Sequence, residues 1–220
     1  MIENDKVYAV ITGDIVGSTR LSDGDRKRLF DVMKHGSSEL QKTYPEAVPF
    51  PVDIFRGDSW QLFVADVPKA LRVALFYRLY IKIQTEIVSD SKESIGVGRV
   101  LFVPESRVSE GAGPAFELSG KALDGLKQAR MSLCFEDNED LNSYADILIM
   151  VIDSLVTSLT YKQSLAVSGA LQGWLQKDIV TLWDPPISQQ AVSDHLKSAR
   201  WSLLEKSLAY IEERMLGTFA

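Results

Sequence analysis

The chain carries a single cysteine, Cys134, and two histidines, His35 and His195, in 220 residues. One thiol excludes an internal disulfide, and two histidines on separate predicted helices do not make up the ligand set of a zinc site. Long apolar runs are missing too. The longest, Ile147 to Ile152, falls far short of the ~20 residues a membrane helix needs. Positive charge is scarce: 24 basic residues face 30 acidic ones, for a net charge of −6. That balance gives no global attraction to nucleic acid or to an anionic membrane. The opening residues, MIENDK, have neither the basic nor the apolar region of a secretory signal, so a cytoplasmic location is the expectation. Internal repeats and low-complexity segments are absent.

What is present is enough for a core. Hydrophobic residues make up 45% of the chain and charged residues 25%, ordinary values for one or two globular domains. Val7 to Ile11 is β-branched and reads as a buried central strand. A capping box at Ser22 to Asp25 opens a helix with Leu29, Met33 and Leu40 on its apolar face, ending near Tyr44 and Pro45. Val52 to Phe55 and Trp60 to Ala65 read as a hairpin around Arg56 to Ser59. Asp66 and Pro68 open an amphipathic helix over Ala70 to Ile87, with Leu71, Leu75, Leu79 and Ile83 on one stripe. Ile95 to Val103 reads as a strand, Ala115 to Gln128 as a helix and Met131 to Phe135 as a further strand. After the acidic stretch Glu136 to Asp140 only helical patterns follow, so a domain boundary is expected near 138, with a helix around Asp146 to Ser158 beside it.

Two positions break the apolar logic in the same way. Gly13–Asp14 ends the first strand, and Gly57–Asp58 sits in the hairpin turn. In a β-α-β-β-α-β unit the first strand lies beside the hairpin, so the two aspartates converge. Two adjacent carboxylates repel unless a cation lies between them, and oxygen ligands of this kind suit Mg²⁺ or Mn²⁺. The backbone N–H groups of Ile15 to Ser18 would then suit a phosphate chain. The plain alternative is that each aspartate only shapes a turn.

These residues resemble a family. AVITGDIVGST resembles the first-strand motif of class III nucleotide cyclases, RGDSWQLFV their hairpin motif and SIGVGRV a later strand, over residues 7 to 128. The resemblance implies a ferredoxin-like palm in an α+β fold. It implies metal binding by Asp14, Asp58 and the Ile15 carbonyl and a base-reading acid at Glu110, while the end of the strand, Val16, Gly17, Ser18 and Thr19, is the expected nucleotide contact. It also implies sites completed across a homodimer. Two positions depart from the family pattern. Glu117 stands where the family has a ribose-positioning asparagine, and Lys121 stands where it has the transition-state arginine. Lysine keeps that charge but loses the planar fork. Ile54 lies near the place of the base-reading lysine.

The tail, Leu175 to Trp201, resembles a helix-turn-helix. Gln176 to Trp183 would be the supporting helix, and Ser188 would cap a reading helix buried through Val192, Leu196 and Ala199. Ser188, Gln189, Gln190, Ser193 and Lys197 would face DNA. Asp184 to Pro186 makes the turn about two residues longer than usual. From Tyr161 onward six basic residues balance six acidic ones, which also fits a helical packing or dimerisation unit. The four tryptophans read as packing anchors, Cys134 as a core residue, and the two histidines as surface or capping groups.

The combination resembles the SatD family, a cyclase-like domain (1–138) followed by a helical domain (139–220) with a helix-turn-helix. Three functions stay open. One is a metal- and nucleotide-binding sensor or transcriptional regulator. Another is a working nucleotidyl cyclase or related phosphoryl-transfer enzyme. The third is a protein–protein adaptor on a degenerate fold.

Overall fold

Strand β1 (Val7–Ile15) is the centre from which the fold is built. In the computed structural model, which describes residues 2–3, 6–85 and 90–219, it pairs antiparallel with β3 (Ser59–Val64) on one side and β4 (Ser91–Arg99) on the other. Strand β2 (Asp53–Phe55) closes the hairpin with β3, and β5 (Met131–Phe135) adds parallel to β4. The sheet order is β2-β3-β1-β4-β5. Together with eight helices among the described residues, this makes a mixed α+β architecture.

Period-two alternation gives the sheet two faces. Ala9, Ile11 and Ile15 point to a large core formed with α1 (Asp23–Thr43) and α2 (Ala70–Gln84). Tyr8 and Val10 point the other way, to a smaller cluster with Phe63, Val108, Ala115 and Phe116 beneath α3 (Pro114–Gly125). Helix α1 starts where its cap predicts: the Ser22 side chain accepts from the Asp25 N–H, and the Ser22 hydroxyl donates to the Asp25 carboxylate at 2.7 Å. Leu29, Met33 and Leu40 are buried, as their spacing requires.

Two elements differ from their sequence reading. Helix α2 is buried nearly all round, not along one stripe, because α5 (Tyr161–Leu171) packs on the side turned away from the sheet. It ends at Gln84, because Thr85 is already extended with its N–H on the Ile81 carbonyl; the predicted end, Ile87, lies outside the described residues. Strand β4 begins at Ser91, four residues before the apolar run that suggests it, and ends at Arg99. The added residues are polar yet buried: Ser91 and Glu93 are fully covered.

The rest of the chain is helical. It comprises α4 (Glu139–Thr157), α5, the short α6 (Gln176–Ile179) followed by a 3₁₀ turn to Leu182, α7 (Gln189–Ser198) and α8 (Trp201–Phe219). Helix α4 packs on β5, and its Ala145, Ile149 and Ile152 join the core on the α2 side of the sheet. That core runs without a break from β1 to Met215 of α8. Arg72 of α2 ties the helical region down further by pairing with Glu205 and Glu212 of α8.

Candidate functional site

The site lies at the C-terminal end of β1, where the strand runs out beside the hairpin. Register sets it: Asp14 faces Ser59 of β3 on one side and Lys92 of β4 on the other. The turn between β2 and β3 is Arg56 to Asp58, with Arg56 and Gly57 both at positive φ. That turn folds back so that the Asp58 carbonyl accepts the Ile15 N–H at 3.2 Å. The Ser18 hydroxyl donates to the Asp58 carboxylate, and the Ser59 hydroxyl donates to Asp14 at 3.1 Å.

Asp14 and Asp58 therefore converge, each held by a serine. Partial burial raises the Asp14 pKa; the Ser59 hydrogen bond opposes this, the Asp58 charge raises it further, and Lys92 pulls it down. The net direction is upward. Among the described residues neither aspartate forms an ion pair with a lysine or arginine; the Lys92 ammonium instead donates to the Leu126 carbonyl at 2.9 Å. Two half-buried carboxylates and two serine hydroxyls form an all-oxygen set, of a kind that suits a hard divalent cation. No cluster of three or more His, Cys, Asp or Glu side chains with metal-binding geometry occurs among the described residues, so any cation here would draw the rest of its shell from water or a ligand.

The loop after β1 only partly matches the expected phosphate cradle. The Ile15 N–H goes to Asp58 and the Val16 N–H to the Asp90 carbonyl at 3.1 Å, so these two donors serve the fold. This corrects the expectation that N–H groups from Ile15 onward face a ligand. Gly17 to Thr19 remain, at the start of a 3₁₀ turn over Ser18–Arg20 whose first N–H groups have no intrahelical partner. Gly17 is left-handed, with open space around it.

The other predicted nucleotide residues stand apart. On α3, Ser119 is buried and its hydroxyl bonds Thr12 of β1 at 2.8 Å, in line with Gln61, which donates to Thr12 at 2.8 Å. Glu117 and Lys121 lie about 200° around the helix from Ser119 and are exposed. They share the outward face of α3 and do not turn toward Asp14. Glu110 sits in a 3₁₀ turn against β2 and β3 and pairs with Arg107 at 3.0 Å. That turn packs beside Phe63, whose row is about 13 Å along the sheet from the Asp14–Ser59 row.

Sequence reasoning missed Ser59, Lys92 and Asp90. Only the register reveals them, because a partner across a strand leaves no mark in the spacing of one segment. It also missed the buried charges behind the site. Arg78 of α2, fully covered, donates to Asp90 at 2.7 and 2.8 Å and to Asp153 of α4 at 2.8 Å. Glu93 is buried beside them, and among the described residues neither of its carboxyl oxygens has a hydrogen-bond partner. Burial pushes its pKa well up; Arg78 opposes the shift, and Asp90 and Asp153 add to it.

In the tail, Ser188 caps α7 by accepting the Ala191 N–H at 3.1 Å. Val192 and Leu196 are buried; Gln189, Gln190 and Lys197 are exposed, and Ser193 is half-buried. Helix α7 packs on α5, α6 and α8. His195 stacks on Trp183, and His35 bonds the Tyr80 hydroxyl. Cys134 is half-buried, short of the full core placement expected, because it points to the α3 side at the end of the sheet.

No family model matches the chain, and no curated protein matches it. Among solved structures, the crystal structure of the guanylyl cyclase Cya2 is similar, with a TM-score of 0.39 and 13% identity, covering 58% of this chain and 74% of that one.

Proposed function

We propose that this protein is a metal- and nucleotide-binding regulator. In this reading a cyclase-like, ferredoxin-like unit senses a nucleoside triphosphate and a helix-turn-helix in the helical tail contacts DNA. The observation that carries the reading is the meeting of Asp14 and Asp58 at the end of β1. Their mutual repulsion is relieved by a divalent cation, and the donor set favours Mg²⁺ or Mn²⁺. Asp14, Asp58 and the Ile15 carbonyl would hold the ion, and the loop from Gly17 to Thr19 would face the phosphates. The bound ion would supply charge neutralisation for a triphosphate. The strand order β2-β3-β1-β4, antiparallel throughout, supports the ferredoxin-like assignment.

A sensor is favoured over an enzyme by α3. Glu117 and Lys121 are both exposed, and a glutamate at the first of these positions adds a negative charge that repels a triphosphate. Lys121 also lacks the planar fork suited to a transferring phosphoryl group. The DNA reading draws on exposed Gln189, Gln190 and Lys197 on a helix anchored by Val192 and Leu196.

The test is Mn²⁺ binding followed by electron paramagnetic resonance. Mn²⁺ should bind the unmodified chain, more tightly with ATP or GTP present, and Asp14→Asn should weaken it at least ~10-fold. Cyclic product should stay at background with either nucleotide. Mn²⁺ affinity unchanged in Asp14→Asn would remove the basis of the proposal.

A further inference from the structure

We propose that α4 and α8 form a docking face for a second copy of this chain. Helix α4 is apolar on two sides. One side carries Ala145, Ile149 and Ile152 into the core. The other leaves Tyr144, Ile147, Met150 and Val151 exposed by 54, 71, 71 and 39%. The i, i+3, i+7 spacing of Tyr144, Ile147 and Val151 puts them on one stripe. Leu203 and Tyr210 of α8 are also exposed, by 44 and 40%. The two helices are in contact, and the Arg214 guanidinium lies 5.9 Å from the Tyr144 ring and 5.2 Å from the Tyr210 ring, which joins the two rows. A large apolar patch on a helix pair marks an interaction surface.

Charge selects the occupant. At the start of α4 the face is acidic, with Asp140 and, from the end of α8, Glu213 outnumbering Arg214. At the other end, Arg200 lies against the last turn of α4, and Lys206 follows one turn into α8. The acids nearest that end are engaged elsewhere: Glu205 pairs with Arg72 and Asp153 with Arg78. The face is therefore acidic at one end, apolar in the middle and basic at the other. A two-fold axis through the middle of α4 places each acidic end on the partner's basic end and packs the stripes into a four-helix layer. A strand of DNA would meet an apolar centre and an acidic end, which it does not fit. The face lies on the α2 side of the sheet, so such a pair leaves α3 and the Asp14 end of the other face open.

Sedimentation of the full chain tests this. A dimer is expected at micromolar concentration, and Ile147→Glu should weaken it at least ~10-fold with an unchanged far-ultraviolet circular dichroism spectrum. In a Cys134→Ser background, Ile147→Cys, near the middle of α4, should form an intermolecular disulfide under mild oxidation. Lys206→Glu should weaken the dimer, and adding Asp140→Lys should restore it. A monomeric unmodified chain overturns the proposal. So does a dimer that survives Ile147→Glu, or one in which the Ile147→Cys variant does not cross-link, since either result moves the contact to another face. Mn²⁺ binding at Asp14 is read separately and does not depend on this outcome.

Discussion

At the scale of single residues, the most informative side chain is one that no local pattern marks out. Glu93 faces the core across from Gly13, over which the Trp60 ring lies on the neighbouring strand. Its carboxyl is buried with Arg78 already committed to Asp90 and Asp153. Burial raises its pKa in the folded state, whereas the unfolded chain has the ordinary value of about 4.3. A raised folded pKa means that protonated Glu93 favours the fold. Its contribution is complete below about pH 4.3 and is lost as pH rises toward the folded value. Thermal unfolding should thus show stability declining above that pH, by at most ~1.4 kcal/mol per pH unit for one proton. Glu93→Gln, which mimics the neutral acid, should flatten that decline and leave the protein more stable at pH 8. Parallel pH profiles for the two proteins would contradict the assignment. Asp14 is displaced in the same direction, so Mn²⁺ binding should weaken as pH falls through its raised pKa and should release protons near that value.

At the scale of elements, α3 and α7 carry separate expectations. Helix α3 crosses the sheet at Gly96, where an added Cβ would lie 2.3 Å from the Ala115 carbonyl oxygen and 2.6 Å from the Ser119 nitrogen. Both are backbone atoms, so the helix itself must move. Gly96→Ala should lower the urea midpoint by the equivalent of ~1–3 kcal/mol. Gly120→Ala, on the same helix with nothing within 4 Å, should raise it by ~0.5–1 kcal/mol. Equal effects would mean that α3 is not seated as described. For α7, the Gln189→Ala/Gln190→Ala pair should leave the melting temperature unchanged, because both side chains are exposed. Leu196→Ala should cost ~2–5 kcal/mol. In fluorescence anisotropy at low salt, the glutamine pair should lose affinity for any promoter fragment the protein binds. Undiminished binding would exclude α7 as the reader.

At the scale of the whole molecule, the elements are largely legible in the sequence and their partnerships are not. The apolar runs of β1, β3 and β5 and the cap of α1 are local signals, and they sit where their residues put them. The start of β4 is hidden because Ser91 to Glu93 look like loop; only the Arg78 cluster, assembled from α2, β4 and α4, makes that polar stretch an interior one. Asp14 and Asp58 stand out because a Gly–Asp pair interrupts an apolar pattern twice. Ser59 and Lys92 do not, because their role depends on register. Glu117 and Lys121 are visible as motif positions, but their outward direction is a property of how α3 lies on Gly96.

The central claim is that Asp14 and Asp58 together hold a divalent cation for a nucleoside triphosphate. Isothermal titration calorimetry of ATP and GTP into the full chain, with Mn²⁺ and with EDTA, addresses it most directly. Binding of at least one nucleotide should require Mn²⁺, and Asp14→Asn and Asp58→Asn should each abolish it, with the double variant no worse than either single one. Metal-independent binding of the same strength, or full binding by either variant, would contradict the claim.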